Sequence, residues 1–280
     1  MLRPMAQSRR TPDHPLSHTS FELLPDPLSR AAAACLAPWA APLVAVEGAE
    51  IVRSLPDPAL FVFNHNNAFE CGVVPLALLG LRRGRPIRFL VDWMYLQIPV
   101  VGRILAGTEP IAVATKRARF GLWEERRQRL RRQSPLDLAL ASLSEGRSVG
   151  LFAEGTRNPD PGALLPLRRG AGMLALASGV PVVPLGIRFD RTRRRGRVPA
   201  WGALSVRVGE PRRYAEGPSP LADASSPTVT RILDELAGCL AALSGKRPTG
   251  EPSPSTSPRA ARRRLPPRPA RLDLEPGGQR

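Results

Sequence analysis

Short apolar runs recur through the middle of the chain, separated by polar, glycine-containing and proline-containing segments. Continuous apolar runs of this length are typical of strands that are buried on both faces of a sheet. The predicted strands are Leu60–Asn64, Ile87–Val91, Pro110–Val113, Val149–Ala153, Val180–Ile187 and Leu204–Val208.

Helical segments fall between these strands. Ser134 is a favoured capping residue, Pro135 suits the first helical position and Asp137 places an acid in the first turn. Alternating strands and helices predict an α/β fold with a largely parallel central sheet flanked by helices. The predicted helices start after Asn66-Asn67 and run toward Leu79, begin at Ser134-Pro135, and cover about Gly170 to Ala177, the last ending at Ser178-Gly179.

The two ends of the chain differ in composition from the middle. Residues 1–19 are polar and contain proline, and they are predicted to form a disordered leader without the apolar core of a signal peptide. Residues 246–280 are dominated by Pro, Ser and Arg, so a disordered tail is predicted there. The tail's arginines either contact acidic lipid headgroups or serve solubility. A single domain is predicted over residues 20–245.

The longest apolar stretch runs from Ala31 to Val46 and is interrupted by Pro38 and Pro42. It is shorter than the roughly 20 residues that a membrane span requires, so no transmembrane helix is predicted. Two interpretations stay open for it. It lies in a membrane interface with Trp39 at headgroup depth, or it is a helix packed on the core.

The net charge of +17 and the isoelectric point near 11.5 favour a polyanionic partner. Anionic membrane and nucleic acid both qualify. The chain carries no helix-turn-helix, zinc or RNA-recognition signature, and only 5% of its residues are aromatic, so no nucleic acid is expected. The arginine-rich segment Leu122–Gln133 is predicted to be a solvated helix face, with a membrane or acyl-carrier contact as the alternative.

The three cysteines, Cys35, Cys71 and Cys239, are widely spaced and form no CxxC or Cys/His ligand pattern. Neither a disulfide framework nor a zinc site is predicted, and a reducing cytoplasm is the simplest compartment. The chain also lacks a Walker A loop and a GxGxxG turn that opens a helix. ATP and dinucleotide cofactors are therefore not predicted.

His65 follows the apolar run Phe61-Val62-Phe63, at the end of a predicted strand, where ligands gather in open α/β sheets. Histidine has an ordinary pKa suited to proton abstraction near neutral pH. Glu70 reaches the imidazole only if the chain turns at Asn66-Asn67 before the helix begins, which asparagine favours. Glu70 is then predicted to hold one tautomer and to stabilise the imidazolium.

A second motif follows the strand that ends at Ala153. Gly155 permits a tight turn, Arg157 presents a planar fork of donors suited to phosphate, and Thr156 adds a hydroxyl. This combination with the neighbouring carboxylate of Glu154 predicts recognition of a phosphate or another anion. An ordinary strand-to-loop turn is the alternative.

Four blocks, taken in order, resemble the glycerolipid acyltransferase superfamily, whose best-known members are the 1-acylglycerol-3-phosphate O-acyltransferases. The resemblance covers about Val44 to Val208. Ala153 stands in place of the family's proline and Val113 in place of its arginine, for which Lys116 or Arg117 is a candidate substitute. The blocks are NHNNAFE from Asn64, which contains the His-x4-Glu pair; GTEPIAV from Gly107; FAEGTR from Phe152; and Arg168-Arg169-Gly170-Ala171 leading to VPVVPLGI.

The resemblance implies a glycerol-3-phosphate acyltransferase-like fold and an O-acyltransferase of phospholipid biosynthesis, peripheral on the cytoplasmic face of the membrane. His65, oriented by Glu70, would deprotonate a lysolipid hydroxyl, which attacks the thioester of acyl-CoA or acyl-carrier protein. No metal or other cofactor is implied. Substrate binding is assigned to Glu154, Gly155, Thr156 and Arg157, which would hold the acceptor's glycerol phosphate, to Asn64, and to Pro184, which would shape the site or the acyl pocket.

Other functions remain open from the sequence. The acceptor is 1-acyl-glycerol-3-phosphate, giving phosphatidic acid, or another hydroxyl-bearing lipid such as an amino-acid lysolipid. Cys71, next to Glu70, is an alternative nucleophile that would form an acyl-enzyme with help from His65. A basic nucleic-acid-binding module is the alternative of a different class.

Overall fold

The computed structural model describes residues 21–24, 26–97, 107–114, 121–190 and 196–248. Within these ranges seven strands form one sheet, in the order β1-β7-β6-β2-β5-β3-β4. The strands are β1 Val44–Glu47, β2 Leu60–Phe63, β3 Arg88–Asp92, β4 Ile111–Val113, β5 Val149–Phe152, β6 Val182–Phe189 and β7 Leu204–Val208.

The sheet is parallel except where β7 meets β6. The five strands β6, β2, β5, β3 and β4 run in one direction, while β7 pairs antiparallel with β6 and parallel with β1. The predicted α/β fold with a largely parallel sheet is therefore confirmed. Continuous burial of all four residues of β2 explains its unbroken apolar sequence, because both faces of this central strand are covered.

Helices cover both faces of the sheet. Two apolar cores result: α2 and α3 contribute to one, and α5, α6 and α7 to the other. A third, smaller cluster joins α1 to the end of α3. The helices are α1 Pro27–Ala40, α2 Ala49–Ser54, α3 Glu70–Leu81, α4 Gly121–Arg131, α5 Pro135–Ser144, α6 Arg169–Ser178 and α7 Pro227–Ser244.

The six predicted strands and the predicted helices all exist, with boundaries that differ by a few residues. Ser134 caps α5 by accepting a bond from the amide of Asp137, and Gly179 ends α6 with φ +63°. The helix α4 is mostly exposed, as predicted, although Arg127 turns inward to bond Glu124 and the carbonyl of Ala114. Among the described residues, three main elements were not predicted: the edge strand β1, the short helix α2 and the long helix α7.

The apolar stretch from Ala31 to Val46 contains three different elements: most of α1, a short 3₁₀ turn at Ala41–Leu43, and β1. Ala33 and Ala37 pack inward, whereas Trp39 is 78% exposed. Among the described residues, none of the helices combines the length and apolar character that crossing a bilayer requires.

The predicted leader and most of the predicted tail lie outside the described residues, so the domain boundaries stay a prediction. Lys246 and Arg247, which the composition assigns to the tail, contact the domain. The Arg247 amide donates to the Gly162 carbonyl at 3.0 Å, and its own carbonyl accepts from the Leu164 amide at 2.8 Å.

Candidate active site

Two neighbouring strands end at the same level and bring together the block that contains His65 (the first motif) and the block FAEGTR from Phe152 (the third motif). The loop that follows Ala153 is called the third-motif loop. In the β2–β5 pairing Phe63 lies opposite Phe152, so His65 and Glu154 leave the sheet side by side. Both backbone groups of His65 bond to the third-motif loop. Its amide donates to Glu154 Oε1 at 2.8 Å, and its carbonyl accepts from the Asn158 amide at 2.8 Å.

The His65 imidazole forms the predicted pair with Glu70. The distance from Nδ1 to Glu70 Oε1 is 2.8 Å, and Glu70 is fully buried while the His65 side chain is 12% exposed. The imidazole lies against the ring of Phe152, with 4.5 Å between centroids. Because a carboxylate accepts hydrogen bonds, this pairing places the proton on Nδ1 and leaves the lone pair of Nε2, near the Cys71 sulfur, as the base.

The turn at Asn66 and Asn67 makes this pairing possible, as predicted. The Asn67 side-chain oxygen accepts from the amides of Phe69 and Glu70, at 2.9 and 3.2 Å, and so starts α3. Asn66 also holds the carboxylate of Glu70, through both of its oxygens. Its amide donates to Oε1 at 2.5 Å and its Nδ2 donates to Oε2 at 2.9 Å.

Glu154 contacts protein donors with both oxygens. Oε1 accepts from the His65 amide, and Oε2 accepts from Asn158 Nδ2 at 2.7 Å and from the Leu165 amide at 2.9 Å. The side chain is 1% exposed. Substrate binding by Glu154 stays a prediction, and this geometry favours a positioning role in which Glu154 joins the two motif loops.

Gly155, Thr156 and Arg157 form an exposed turn beside the histidine. Gly155 has φ +63°, the left-handed conformation for which glycine was predicted. Arg168, at the start of α6, extends over this turn: a Cβ on Gly155 would lie 2.6 Å from Arg168 Cγ. In the described part of the chain neither Arg157 nor Arg168 has a carboxylate partner, so two uncompensated guanidinium groups flank one glycine turn.

Asn64 and Pro184 lie deeper than the exposed turn. Asn64 is completely buried, and its amide bonds both backbone groups of Ile187: Oδ1 accepts from the amide at 2.6 Å and Nδ2 donates to the carbonyl at 3.0 Å. Pro184 is buried within β6 opposite Val62. Their predicted substrate contacts stay predictions, while the observed contacts hold β6 beside the histidine turn.

A third segment, residues 196–203 between β6 and β7, borders the site and was not predicted. The Pro199 carbonyl accepts from Asn67 Nδ2 at 2.6 Å, and the Val198 amide donates to the Pro159 carbonyl at 2.9 Å. The segment therefore contacts both motif turns, and it carries Trp201, which is 71% exposed.

The second block lies away from the histidine. Gly107–Val113 leads into β4, at the sheet edge, and β5 and β3 separate β4 from β2. Lys116 and Arg117, the candidate substitutes for the family arginine, are outside the described residues. Within the described ranges, no three His, Cys, Asp or Glu side chains are grouped to hold a metal ion.

Cys71 lies 4.0 Å from His65 Nε2, measured from its sulfur. Burial, reinforced by the Glu70 charge, raises the pKa of its thiol to about 12, so the reactive thiolate is scarce at neutral pH. The thiol also lies within weak hydrogen-bonding distance, 3.7 Å, of the Asn67 carbonyl. The structure thus provides proximity to the base but not the lowered pKa that nucleophilic catalysis requires.

We expect Cys71→Ser to keep the acyl transfer that the sequence resemblance implies within about threefold of wild type, because a residue that forms no covalent intermediate contributes mainly packing. Steady-state rates measure this. Intact-protein mass spectrometry after rapid acid quench gives the second readout, and no acylated protein is expected. A large loss of rate together with trapped acyl-protein in wild type would instead establish Cys71 as the nucleophile.

A buried carboxylate orients a histidine next to an exposed turn with two guanidinium groups, and this arrangement is suited to deprotonating a hydroxyl. A family model described as acyltransferase matches residues 43–188, and the chain belongs to this acyltransferase family. The enzyme class predicted from the sequence is confirmed at this level. Family membership does not establish the roles of the individual site residues. These residues stay candidates, supported by the geometry described above.

Two similar proteins have names that describe lipid acylation. A chloroplastic 1-acyl-sn-glycerol-3-phosphate acyltransferase, BAT2 of Brassica napus, is 29% identical over 142 residues, which are 50% of this chain and 36% of that protein. The chain thus spans about a third of that relative's length. The crystal structure of the 1-acyl-sn-glycerophosphate (LPA) acyltransferase PlsC from Thermotoga maritima aligns with a TM-score of 0.48 and 20% identity, covering 72% of this chain and 70% of that one.

Proposed function

We propose that this enzyme transfers a fatty acyl group from acyl-CoA or acyl-carrier protein to the hydroxyl of a lysolipid, with 1-acyl-glycerol-3-phosphate as acceptor and phosphatidic acid as product. The observation that carries the proposal is the His65–Glu70 pair at 2.8 Å, which leaves Nε2 as a base near two arginines that have no carboxylate partner among the described residues. The names of the similar proteins agree with this acceptor.

In the proposed reaction, His65 Nε2 removes the proton of the acceptor hydroxyl as its oxygen attacks the thioester carbonyl. Glu70 stabilises the resulting imidazolium through Nδ1. The tetrahedral intermediate then expels the thiolate, and the imidazolium returns its proton to that sulfur. The products are an oxygen ester and a free thiol, and His65 regains its starting state.

The two arginines favour an acceptor with a phosphate group. Arg157 and Arg168 are both exposed and flank Gly155. The charge of Arg157 also acts on Cys71, which contacts His65, so this guanidinium lies close to the reacting region. Planar guanidinium groups bind phosphate with paired hydrogen bonds, and two of them suit a dianion better than a zwitterion. An amino-acid lysolipid remains the alternative acceptor.

The test is acyl transfer by the purified full chain from acyl-CoA and from acyl-carrier protein, with lysolipids that share one acyl chain and differ in headgroup. Lysophosphatidic acid is expected to give the highest kcat/KM. Higher kcat/KM with an amino-acid lysolipid would support the alternative acceptor. No transfer to any lysolipid from either donor would contradict the proposed function.

We also propose that the protein binds peripherally to the cytoplasmic face of the membrane, where its thioester donors are found. The exposed face of α1 is apolar: Leu28 is 52% exposed, Leu36 40% and Trp39 78%. An exposed apolar helix face can insert into the membrane interface, and Trp is favoured at headgroup depth. The net charge of +17 adds attraction to anionic lipid.

We expect Trp39→Ala to weaken binding to anionic vesicles by about tenfold to a hundredfold, because burying a large apolar side chain contributes on the order of 1.5–3 kcal/mol. Co-sedimentation at fixed salt gives the binding constant. Trp39→Phe keeps most of the apolar area and is the matched control. Equal binding by all three proteins would show that α1 does not contact the membrane through this residue.

A further inference from the structure

Lys246 is a buried lysine just after the last helix. It follows Gly245, which ends α7 with φ +70°, and it is 6% exposed. Its Nζ is shielded from solvent and, within the described residues, has no hydrogen-bond partner. Burying an ammonium group without a direct partner is costly, so a nearby charge arrangement must favour it.

The backbone next to Lys246 is attached to the loop that holds Glu154. Arg247 bonds the carbonyl of Gly162 and the amide of Leu164. The next residue, Leu165, donates its amide to Glu154 Oε2 at 2.9 Å. The end of α7 therefore packs directly beneath the third-motif loop.

Three carboxylates lie near enough to act on the Lys246 ammonium through their charge, although none forms a direct ion pair with it among the described residues. Burial lowers the pKa of Lys246, while the charges of Glu154, Glu70 and Asp160 oppose that effect. The neighbouring cations are Arg247, next in the chain, and Arg188, whose Nη1 lies 3.5 Å from where a Gly245 Cβ would be. Two of the three carboxylates are those that hold the His65 imidazole and backbone.

Those two carboxylates need a positive charge near them. Glu70 and Glu154 are 0% and 1% exposed, and apart from the imidazole their hydrogen-bond donors are neutral amides. Two buried anions in one region disfavour each other's ionised form unless a cation compensates. Arg157 and Arg168 are exposed to solvent, which screens their charge.

We propose that Lys246 is a positioning residue of the active site, whose buried ammonium offsets the negative charges of Glu70 and Glu154 and so lowers the proton affinity of the His65 imidazole that they hold. Lys246 lies beyond the family-matched residues 43–188, so the family match does not include it. The consequence of Lys246 for catalysis rests on the proposed function. The effect of Lys246 on the His65 imidazole does not.

The test is an NMR titration of the His65 imidazole in the full chain, labelled at histidine. The chain has three histidines, and His65→Ala assigns the signal. Lys246→Met removes the charge and keeps the side-chain length. Loss of a nearby cation favours the imidazolium, so the titration midpoint should rise by about half a pH unit or more. Arg247→Met, which removes the adjacent and more exposed charge, should leave the midpoint nearly unchanged.

A midpoint that is unchanged or lower in Lys246→Met would overturn the proposal. If that variant does not fold, Lys246→Arg decides the question: the proposal requires a wild-type midpoint, and a shifted one contradicts it. The titration needs no substrate, so a failure of acyl transfer leaves its outcome intact. Where transfer is observed, the acidic limb of kcat/KM should move with the midpoint.

Discussion

Replacing His65 with alanine is expected to lower kcat for acyl transfer by a factor of about 10² to 10⁴, the usual contribution of a positioned general base. The imidazole leaves Nε2 as the available base, because Nδ1 is engaged by Glu70 at 2.8 Å. Cys71, the neighbouring thiol, has a raised pKa and does not offer an alternative base. Initial rates with saturating donor and acceptor measure the loss.

Two controls separate chemistry from folding. His65→Gln retains an amide donor that can reach Glu70 but provides no base, so it should be as inactive as His65→Ala. Both variants should melt within a few degrees of wild type, because Glu70 keeps the bonds from the Asn66 amide and Nδ2. Full activity in either variant would refute the proposed mechanism, whatever the melting temperature.

The local geometry of the site was predictable because it depends on residues that are close together in the sequence. Asn67 caps the helix that carries Glu70, as the turn preference of asparagine indicated, and this brings Glu70 to His65. Gly155 adopts the positive φ that a tight turn after a strand requires. Each of these features depends on a few consecutive residues, so the sequence pattern contains it.

The longer-range contacts were not predictable from a single sequence. Glu154 bonds the amide of His65, which is 89 positions away, and nothing near Glu154 in the chain indicates that partner. Lys246 begins a segment whose composition favours disorder, yet its burial is decided by the loop it meets. The strand β1 was missed because its apolar residues continue directly from those of α1.

The helix α7 is a different case, since its signals were present. Ser226 and Pro227 are a favoured cap and first residue. Val229, Ile232, Leu236 and Leu240, all fully buried, recur at helical spacing. This helix matters for the site because it ends at Gly245, directly before Lys246.

Glu154→Ala is expected to lower the free energy of unfolding by about 2–5 kcal/mol. If Glu154 served only to contact the substrate, its loss would leave the stability of the free enzyme nearly unchanged. The substitution removes the acceptor of the part-buried amides of His65 and Leu165 and of the buried Asn158 Nδ2, and a donor left unsatisfied costs roughly 1–3 kcal/mol where water does not reach it. Urea unfolding measures the change as a lower midpoint at constant slope. Activity should fall as well, because the backbone of His65 loses one of its two anchors.

Thr156→Ala is the matched control for Glu154→Ala. Thr156 belongs to the same motif but is exposed, so its loss should change the unfolding midpoint little and should act on the KM for the acceptor. Together the two variants separate a structural role, measured as a loss of stability, from acceptor binding, measured as a higher KM. If Glu154→Ala instead keeps the wild-type midpoint and only raises KM, Glu154 contacts the acceptor as the family resemblance implies. The two motif loops would then be connected mainly by Asn158, whose amide donates to the His65 carbonyl at 2.8 Å.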